Sequence, residues 1–290
     1  MSGLLTPSGR SPARSAWQER EDGLPSVTSR PGEPTWEIAE RMYPRQGDWT
    51  EEEYLRVRSL SDRTVEFVGG FLDFHGEVRR ASAPGEPTWE VAEFAYPRQG
   101  AWTEEEYFEV EAACEGTVEF VDGVLDFHAM PDFVHADLHH FLFKLFDGFC
   151  EATGAGFVRS GQLTVRGLPA NRNREPDLLV LKPQTQRGRG YPSPDDVLIV
   201  VEVVSPDRNS VERDYVTKRA EYAAGRIGEY WIVDATDPAD PRVTVLTLSD
   251  GQDSTRYREH GVFRPGDEAT SRTWPSLTCD VAALFAAAEE

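Results

Sequence analysis

The chain has 290 residues, 39% of them hydrophobic and 28% charged, enough to bury a full core in one or two domains. A formal net charge of −21 argues against a large basic surface for nonspecific nucleic-acid binding, because phosphate contacts recruit Lys and Arg, although a metal site needs carboxylates in any case. No apolar run approaches the roughly 20 residues of a membrane-spanning helix, and the N-terminus lacks the apolar stretch of a secretory signal, so a cytoplasmic protein with no membrane partner is expected. Cys114, Cys150 and Cys279 are odd in number and far apart, with no His or Cys at zinc-ligand spacing, and read as ordinary thiols.

Residues 1–30 are rich in Ser, Pro, Arg and Gly without apolar periodicity and read as a disordered leader. Residues 31–78 then recur at 84–131, with about 31 of 48 positions identical. Glu33-Pro-Thr-Trp-Glu answers to Glu86-Pro-Thr-Trp-Glu, and Leu72-Asp-Phe-His to Leu125-Asp-Phe-His. Two copies are fewer than a stacked array needs, so this is a tandem duplication rather than a solenoid. Three segments follow: the leader 1–30, a duplicated N-terminal segment 31–83, and a domain 84–290 that includes copy two. In copy one Gly69 stands where copy two has Asp122, which removes the Asp-Gly pair expected at a tight hairpin turn. Copy one is therefore expected to be a spare: a partly folded arm, a strand offered to a neighbouring subunit, or an alternative N-terminus.

In copy two, Thr103 and Glu106 form the capping box of a helix. Val118–Phe127 alternates as two strands around a turn at Asp122-Gly123. A helix is predicted from about Phe133 to Cys150, with Leu138, Phe141, Leu142, Leu145, Phe146 and Phe149 on one face. Strands are predicted at Gly156–Arg166, Asp177–Leu181, Val197–Val204, Glu229–Asp234 and Arg242–Leu248. A helix over Val211–Ala224 with Gly225 as its C-cap, and a short closing Ala-rich helix, complete the set. The expected fold is α/β: a mixed central sheet flanked by helices, with an N-terminal hairpin.

Val197-Leu-Ile-Val-Val-Glu-Val-Val is apolar on both faces apart from Glu202, as a strand covered on both sides reads. A carboxylate there costs several kcal/mol unless it is paired, protonated or bound to a metal. Asp177 opens the neighbouring predicted strand, so the two carboxylates would meet at one end of a sheet and suit Mg²⁺ or Mn²⁺. Lys218 lies on the following helix, with Asp214 four residues before it and Tyr222 four after, and could supply a cationic group. Each has a plainer reading: Pro-Asp pairs are common at turns, one Arg could satisfy Glu202, and a helical Lys is usually solvated. Tyr222 and Trp231 read as core aromatics.

Glu119-Phe-Val-Asp-Gly, His135 opening a helix, Arg174-Glu-Pro-Asp-Leu-Leu-Val, Val200-Val-Glu-Val-Val-Ser-Pro, Asp214 with Lys218 and Tyr222, and Glu229-Tyr-Trp-Ile-Val-Asp together resemble the Uma-two family of restriction-type endonucleases, of the PD-(D/E)XK superfamily. The resemblance covers about residues 98–290. It implies a restriction-endonuclease-like core and metal-dependent hydrolysis of DNA. Asp177 and Glu202 would be metal ligands, with the backbone carbonyl of Val203 as a third. Glu119 would complete the metal site or support it, and His135 would touch the metal, its water or the phosphate. The superfamily lysine would fall at Val204 and is absent there; the resemblance implies that Lys218 replaces it. His128, His139 and His140 have no such support, and Glu66, the counterpart of Glu119, has no downstream partners for a second site. A homodimer is expected of a nuclease that cuts both strands. Two rival readings remain: a catalytically silent protein-interaction module on the same fold, and metal-dependent hydrolysis of another substrate.

Overall fold

The computed structural model describes residues 29–288 apart from 62, 115, 129–131, 162, 187, 189, 207–209 and 250–254. The predicted leader, up to residue 28, lies outside the described residues. The chain forms two compact units, residues 1–129 and 130–290.

The first unit holds both repeats, each built as helix, helix, hairpin. Copy one contributes α1 (Trp36–Arg41), α2 (Glu51–Leu60), β1 (Val65–Val68) and β2 (Phe71–Phe74). Copy two contributes α3 (Trp89–Phe94), α4 (Glu104–Ala113), β3 (Val118–Val121) and β4 (Val124–Phe127). The predicted capping box is present at Thr103 and Glu106, and again at Thr50 and Glu53. The repeat also begins before residue 31, inside the predicted leader 1–30. Ser29 and Ser82 each bond through backbone nitrogen and hydroxyl to the carboxylate eight residues on, Glu37 and Glu90.

Copy one is folded through its described length, contrary to the expectation of a partly folded arm. Gly69 and Gly70 take φ of 58° and 90°, close to the 49° and 81° of Asp122 and Gly123. A turn with both central residues left-handed accepts Gly-Gly as readily as Asp-Gly, so the hairpin closes despite the substitution. The two copies share one core, in which Ile38, Trp49 and Leu72 of copy one pack with Val91, Trp102 and Leu125 of copy two. Their mutual contacts are reciprocal. Trp49 Nε1 donates to Thr88 Oγ1 at 2.7 Å, and Trp102 Nε1 donates to Thr35 Oγ1 at 2.9 Å. Gly85 N donates to the Gln46 carbonyl and Gly32 N to the Gln99 carbonyl, both at 2.7 Å. The Tyr43 and Tyr96 hydroxyls, themselves equivalent, hydrogen-bond to each other.

The second unit opens with α5 (Phe133–Thr153), which ends at Gly154 in the left-handed conformation. Its sheet runs β12–β11–β10–β9–β8–β5, comprising β5 (Phe157–Ser160), β8 (Leu178–Leu181), β9 (Val197–Val203), β10 (Glu229–Asp234), β11 (Arg242–Leu248) and β12 (Tyr257–Phe263). The β9–β10 pair is parallel and the other pairs are antiparallel, so the sheet is mixed as expected. The predicted strand over Gly156–Arg166 is two elements, β5 and β6 (Val165–Leu168), the latter paired with β7 (Arg172–Arg174). A small hairpin of β13 (Glu268–Thr270) and β14 (Thr278–Asp280) precedes the closing helix α7 (Val281–Ala286).

The helix α6 joins β9 to β10. Its α-helical ends, Ser210–Glu212 and Arg219–Ala224, flank a π-helical segment, Arg213–Lys218. One face of the sheet packs on Leu138, Leu142 and Phe146 of α5, and the other on Tyr222 and Ala223 of α6. Residue parity therefore gives Val201 and Val203 to the α5 face, and Val200 and Glu202 to the α6 face. Gly225 caps α6 with φ −72°, not in the left-handed form its type suggested; Arg226 takes φ 60° instead. A Cβ there would lie 2.8 Å from Leu168 Cδ2 and 3.3 Å from Pro194 Cβ, so a larger residue requires the Leu168 side chain to shift.

Candidate metal and active site

Leu178 pairs with Val201 in the antiparallel β8–β9 ladder. Asp177 immediately precedes Leu178 and Glu202 immediately follows Val201, so both carboxylates stand at the same end of the β8–β9 pair. The sequence thereby brings two carboxylates together at the end of the sheet. Glu202 is only 3% exposed, so its charge cannot persist there without partners.

Two partners come from α6. Lys218 Nζ donates to Glu202 Oε1 at 3.0 Å, and the Tyr222 hydroxyl donates to the same oxygen at 2.6 Å. Asp214 Oδ1 lies 3.8 Å from Lys218 Nζ, so the ammonium stands between two buried carboxylates. Lys218, on the helix that covers this face, thus meets Glu202 directly, whereas position 204 is Val. The π-helical segment carries both Asp214 and Lys218, with both side chains buried. Such segments cost regular hydrogen-bond geometry and recur at functional sites.

Asp177 is held from three directions. Its Oδ2 accepts from the Val203 amide at 2.7 Å, and its Oδ1 lies 3.1 Å from His135 Nε2. His139 Nε2, one turn further along α5, lies 3.1 Å from the Asp177 carbonyl oxygen. Asp132 caps α5 by accepting from the His135 backbone, which fixes the helix end that presents the imidazole. Burial works to raise the Asp177 pKa, but the hydrogen bond and charge of His135, the Val203 amide and the Lys218 charge together hold it below the usual carboxylate value. For His135, burial favours the neutral ring; the bond to Asp177, then the charges of Asp177, Glu202 and Asp132, outweigh it and raise the pKa. Asp177 and Glu202 are thereby kept beside positive charge.

A divalent cation suits this donor chemistry. Asp177 and Glu202 offer hard oxygens on adjacent strands, and the Asp177 side chain keeps 22% of its surface exposed for approach. His135 Nδ1 is buried and finds no hydrogen-bond partner among the described residues.

Glu119 lies in the first unit, on β3, fully buried. Its Oε2 is 3.0 Å from His128 Nε2, and Asp126 Oδ2 is 3.7 Å from the same nitrogen. Among the described residues, Glu119, Asp126 and His128 form the one group of three or more His, Cys, Asp or Glu whose ligand atoms all lie within 4.8 Å of one another. The copy-one counterparts Glu66 and His75 are also paired, at 3.2 Å, but both are largely exposed.

Sequence reasoning set aside three residues that the geometry involves. Tyr222 is a core aromatic as expected, yet its hydroxyl is bonded to Glu202. His139 touches the Asp177 backbone, and its i, i+4 spacing from His135 is a readable sign that both lie on one helix face. His128 contacts Glu119 from just beyond the second strand of its hairpin, a pairing that only the closed hairpin reveals.

Arg174, from the motif Arg-Glu-Pro-Asp, is buried in an ion pair with Glu221. Its guanidinium forms a two-point ion pair with Glu221, at 2.7 and 2.9 Å, and Arg172 joins Glu221 at 2.9 Å. These arginines tie β7 to α6, the helix that delivers Lys218.

No curated protein matches the chain. A solved structure, "Crystal structure of a putative nuclease belonging to DUF820 from Anabaena variabilis ATCC 29413 at 1.96 A resolution", is similar with 14% sequence identity and a TM-score of 0.49, covering 66% of this chain and 99% of that one. The sequence profile of the Uma2 family, described as "Putative restriction endonuclease", matches residues 104–282, from α4 through the second unit. That span is more than half of the chain, and the chain belongs to the Uma2 family.

Proposed function

We propose that the protein is an endonuclease that hydrolyses DNA phosphodiester bonds with Mg²⁺ or Mn²⁺, and that residues 84–290 act together as the catalytic part. The observation that supports this best is the Lys218 ammonium at 3.0 Å from Glu202, beside the Asp177 carboxylate. Asp177, Glu202 and the backbone carbonyl of Val203 would hold the ion. When bound, it polarises a phosphodiester oxygen and makes an activated water available near neutral pH.

The side chains divide the remaining work. Lys218 orients or deprotonates the attacking water, or neutralises charge that gathers on the scissile phosphate. Tyr222 and Lys218 anchor one oxygen of Glu202 and so fix the plane of its carboxyl group. His135 and the Val203 amide do the same for Asp177. His135, with its pKa raised, is suited to donating a hydrogen bond to a phosphate oxygen. Glu119 assists as a further ligand or as a support for one.

The protein's net charge of −21 favours the silent interaction module as the second reading, because DNA must approach without a broad basic surface. Plasmid cleavage separates the two. Supercoiled DNA is incubated with the protein in Mg²⁺, Mn²⁺ or EDTA, alongside Glu202→Gln and Lys218→Met variants shown to be folded by circular dichroism. Nicking that requires the metal and falls at least about a hundredfold in both variants is expected, as for loss of a principal charge-stabilising group. An inert wild-type protein that also takes up no Mn²⁺ in calorimetry would overturn the enzyme and leave the interaction module.

A further inference from the structure

The reciprocal contacts between the two repeats have the form of an isologous interface, in which residue i of one half meets j of the other and j meets i. Such interfaces ordinarily join two chains; here both halves lie in one. We propose that the face copy two turns toward copy one is a self-docking surface, and that copy one fills it in cis, in the place a second chain's copy two would take. This inference does not rest on the nuclease reading.

The places where the symmetry fails show which pairing suits the face. Phe74 of the copy-one hairpin meets Phe94 of α3, with ring centroids 5.8 Å apart. The equivalent contact sets Phe127 of the copy-two hairpin against Arg41 of α1, whose guanidinium carbon lies 5.4 Å from the ring centroid. Arg41 stands where copy two has Phe94. Two copy-two faces brought together by the same operation would therefore form the aromatic pair Phe94–Phe127 twice over. That pairing exchanges the Arg41 ring contact and its hydrogen bond to the His128 carbonyl at 2.7 Å for an aromatic contact that excludes water.

The centre of the interface offers a way to break only one half. Ala39 on α1 is fully buried against Trp89 and Ala92 on α3, and Ala92 is its own counterpart in copy two. In the full chain, Ala39→Arg spoils the copy-one face and leaves the copy-two face intact.

Sedimentation velocity then reads the outcome. The Ala39→Arg chain is expected to add a dimer over the parent's behaviour, with a share that rises with concentration across the micromolar range. Ala39→Arg combined with Ala92→Arg is expected to return to the parent's pattern. The proposal fails if the single variant sediments as the parent does, or if its association survives in the double variant. Should Ala39→Arg lose its helical signal, a chain carrying a protease site after Gly76 and otherwise unaltered replaces it. Isotope-labelled and unlabelled nicked chains are mixed and followed by native mass spectrometry. Hybrids with a labelled N-terminal fragment on an unlabelled body support exchangeable docking; attached fragments that never cross over overturn it.

Discussion

Lys218, Glu202 and Asp177 are bound by a mutual need that can be measured without any substrate. Lys218→Met leaves Glu202 buried beside Asp177 with the ammonium gone, and loss of one partner of a buried pair costs about 3–5 kcal/mol. Glu202→Gln leaves Lys218 with Asp214 at 3.8 Å and should be less damaging. Urea unfolding in EDTA checks the order: a Lys218→Met protein as stable as Glu202→Gln would mean that Tyr222 alone satisfies the carboxylate.

The His135–Asp177 contact carries a pH dependence whose sign follows from its two shifts. Asp177, lowered from 3.8, contributes stability that is present above that value and is lost as pH falls through its depressed pKa. His135, raised from 6.5, contributes stability that is present below 6.5 and is lost as pH rises through its elevated pKa. The pair is therefore worth most between 3.8 and 6.5. In EDTA, the melting-temperature gap between wild type and His135→Gln is expected to be widest within that window and to close on the alkaline side. A gap that is flat with pH would show that the imidazole contributes by packing alone.

At the scale of elements, the hairpins show how a backbone position can constrain sequence more than a side chain does. A Cβ on Gly123 would lie 2.8 Å from the Gly100 carbonyl oxygen, and one on Gly70 would lie 2.3 Å from that of Gly47, both at positive φ. Neither carbonyl can retreat cheaply, because the loop that carries it is bonded to the turn by Gly100 N and Trp102 N, or by Gly47 N and Trp49 N. Gly123→Ala is expected to destabilise the protein by more than the ~1 kcal/mol of an ordinary glycine replacement. Chemical denaturation monitored by tryptophan fluorescence would register this, and a neutral result would mean that the turn relaxes.

The same elements mark what the sequence could disclose. The core of the second unit is legible because its strands are unbroken apolar runs and α5 repeats its apolar residues at helical period. The strands β12, β13 and β14 are not, since Tyr257–Phe263 runs through three exposed residues, Arg258, Glu259 and His260, and then three half-buried ones with no alternation, and the last two span three residues each. The pairing of Asp177 with Glu202 is foreseeable from strand position; the π-helical segment that brings Lys218 to Glu202 has no pattern of its own in the residues. Copy one reads as a spare only when one substitution at a turn is given more weight than the 31 or so retained identities. Gly-Gly satisfies the same backbone demand.

Across the whole molecule, the proposed cutting centre lies in the second unit, and the proposed self-docking face lies in the first. If the face on copy two is filled from within, each particle would bring a single cutting centre to DNA through this surface. It would leave nicks rather than paired breaks unless a separate surface joins two chains. None of the described helices is long and apolar enough to cross a membrane.

The segment joining the repeats is short. Gly76 leaves β2 and Ser82 already bonds to Glu90, while between them Arg79 reaches Glu93 and Arg80 lies over the Trp89 ring. A tether of that length holds copy one at an effective concentration in the millimolar range with respect to the face it covers. An interface between free chains tracks how much protein a cell contains, whereas this one is indifferent to dilution. The duplication thus converts a concentration-dependent choice of partner into a fixed property of the chain, held for as long as the tether and the copy-one face are both intact.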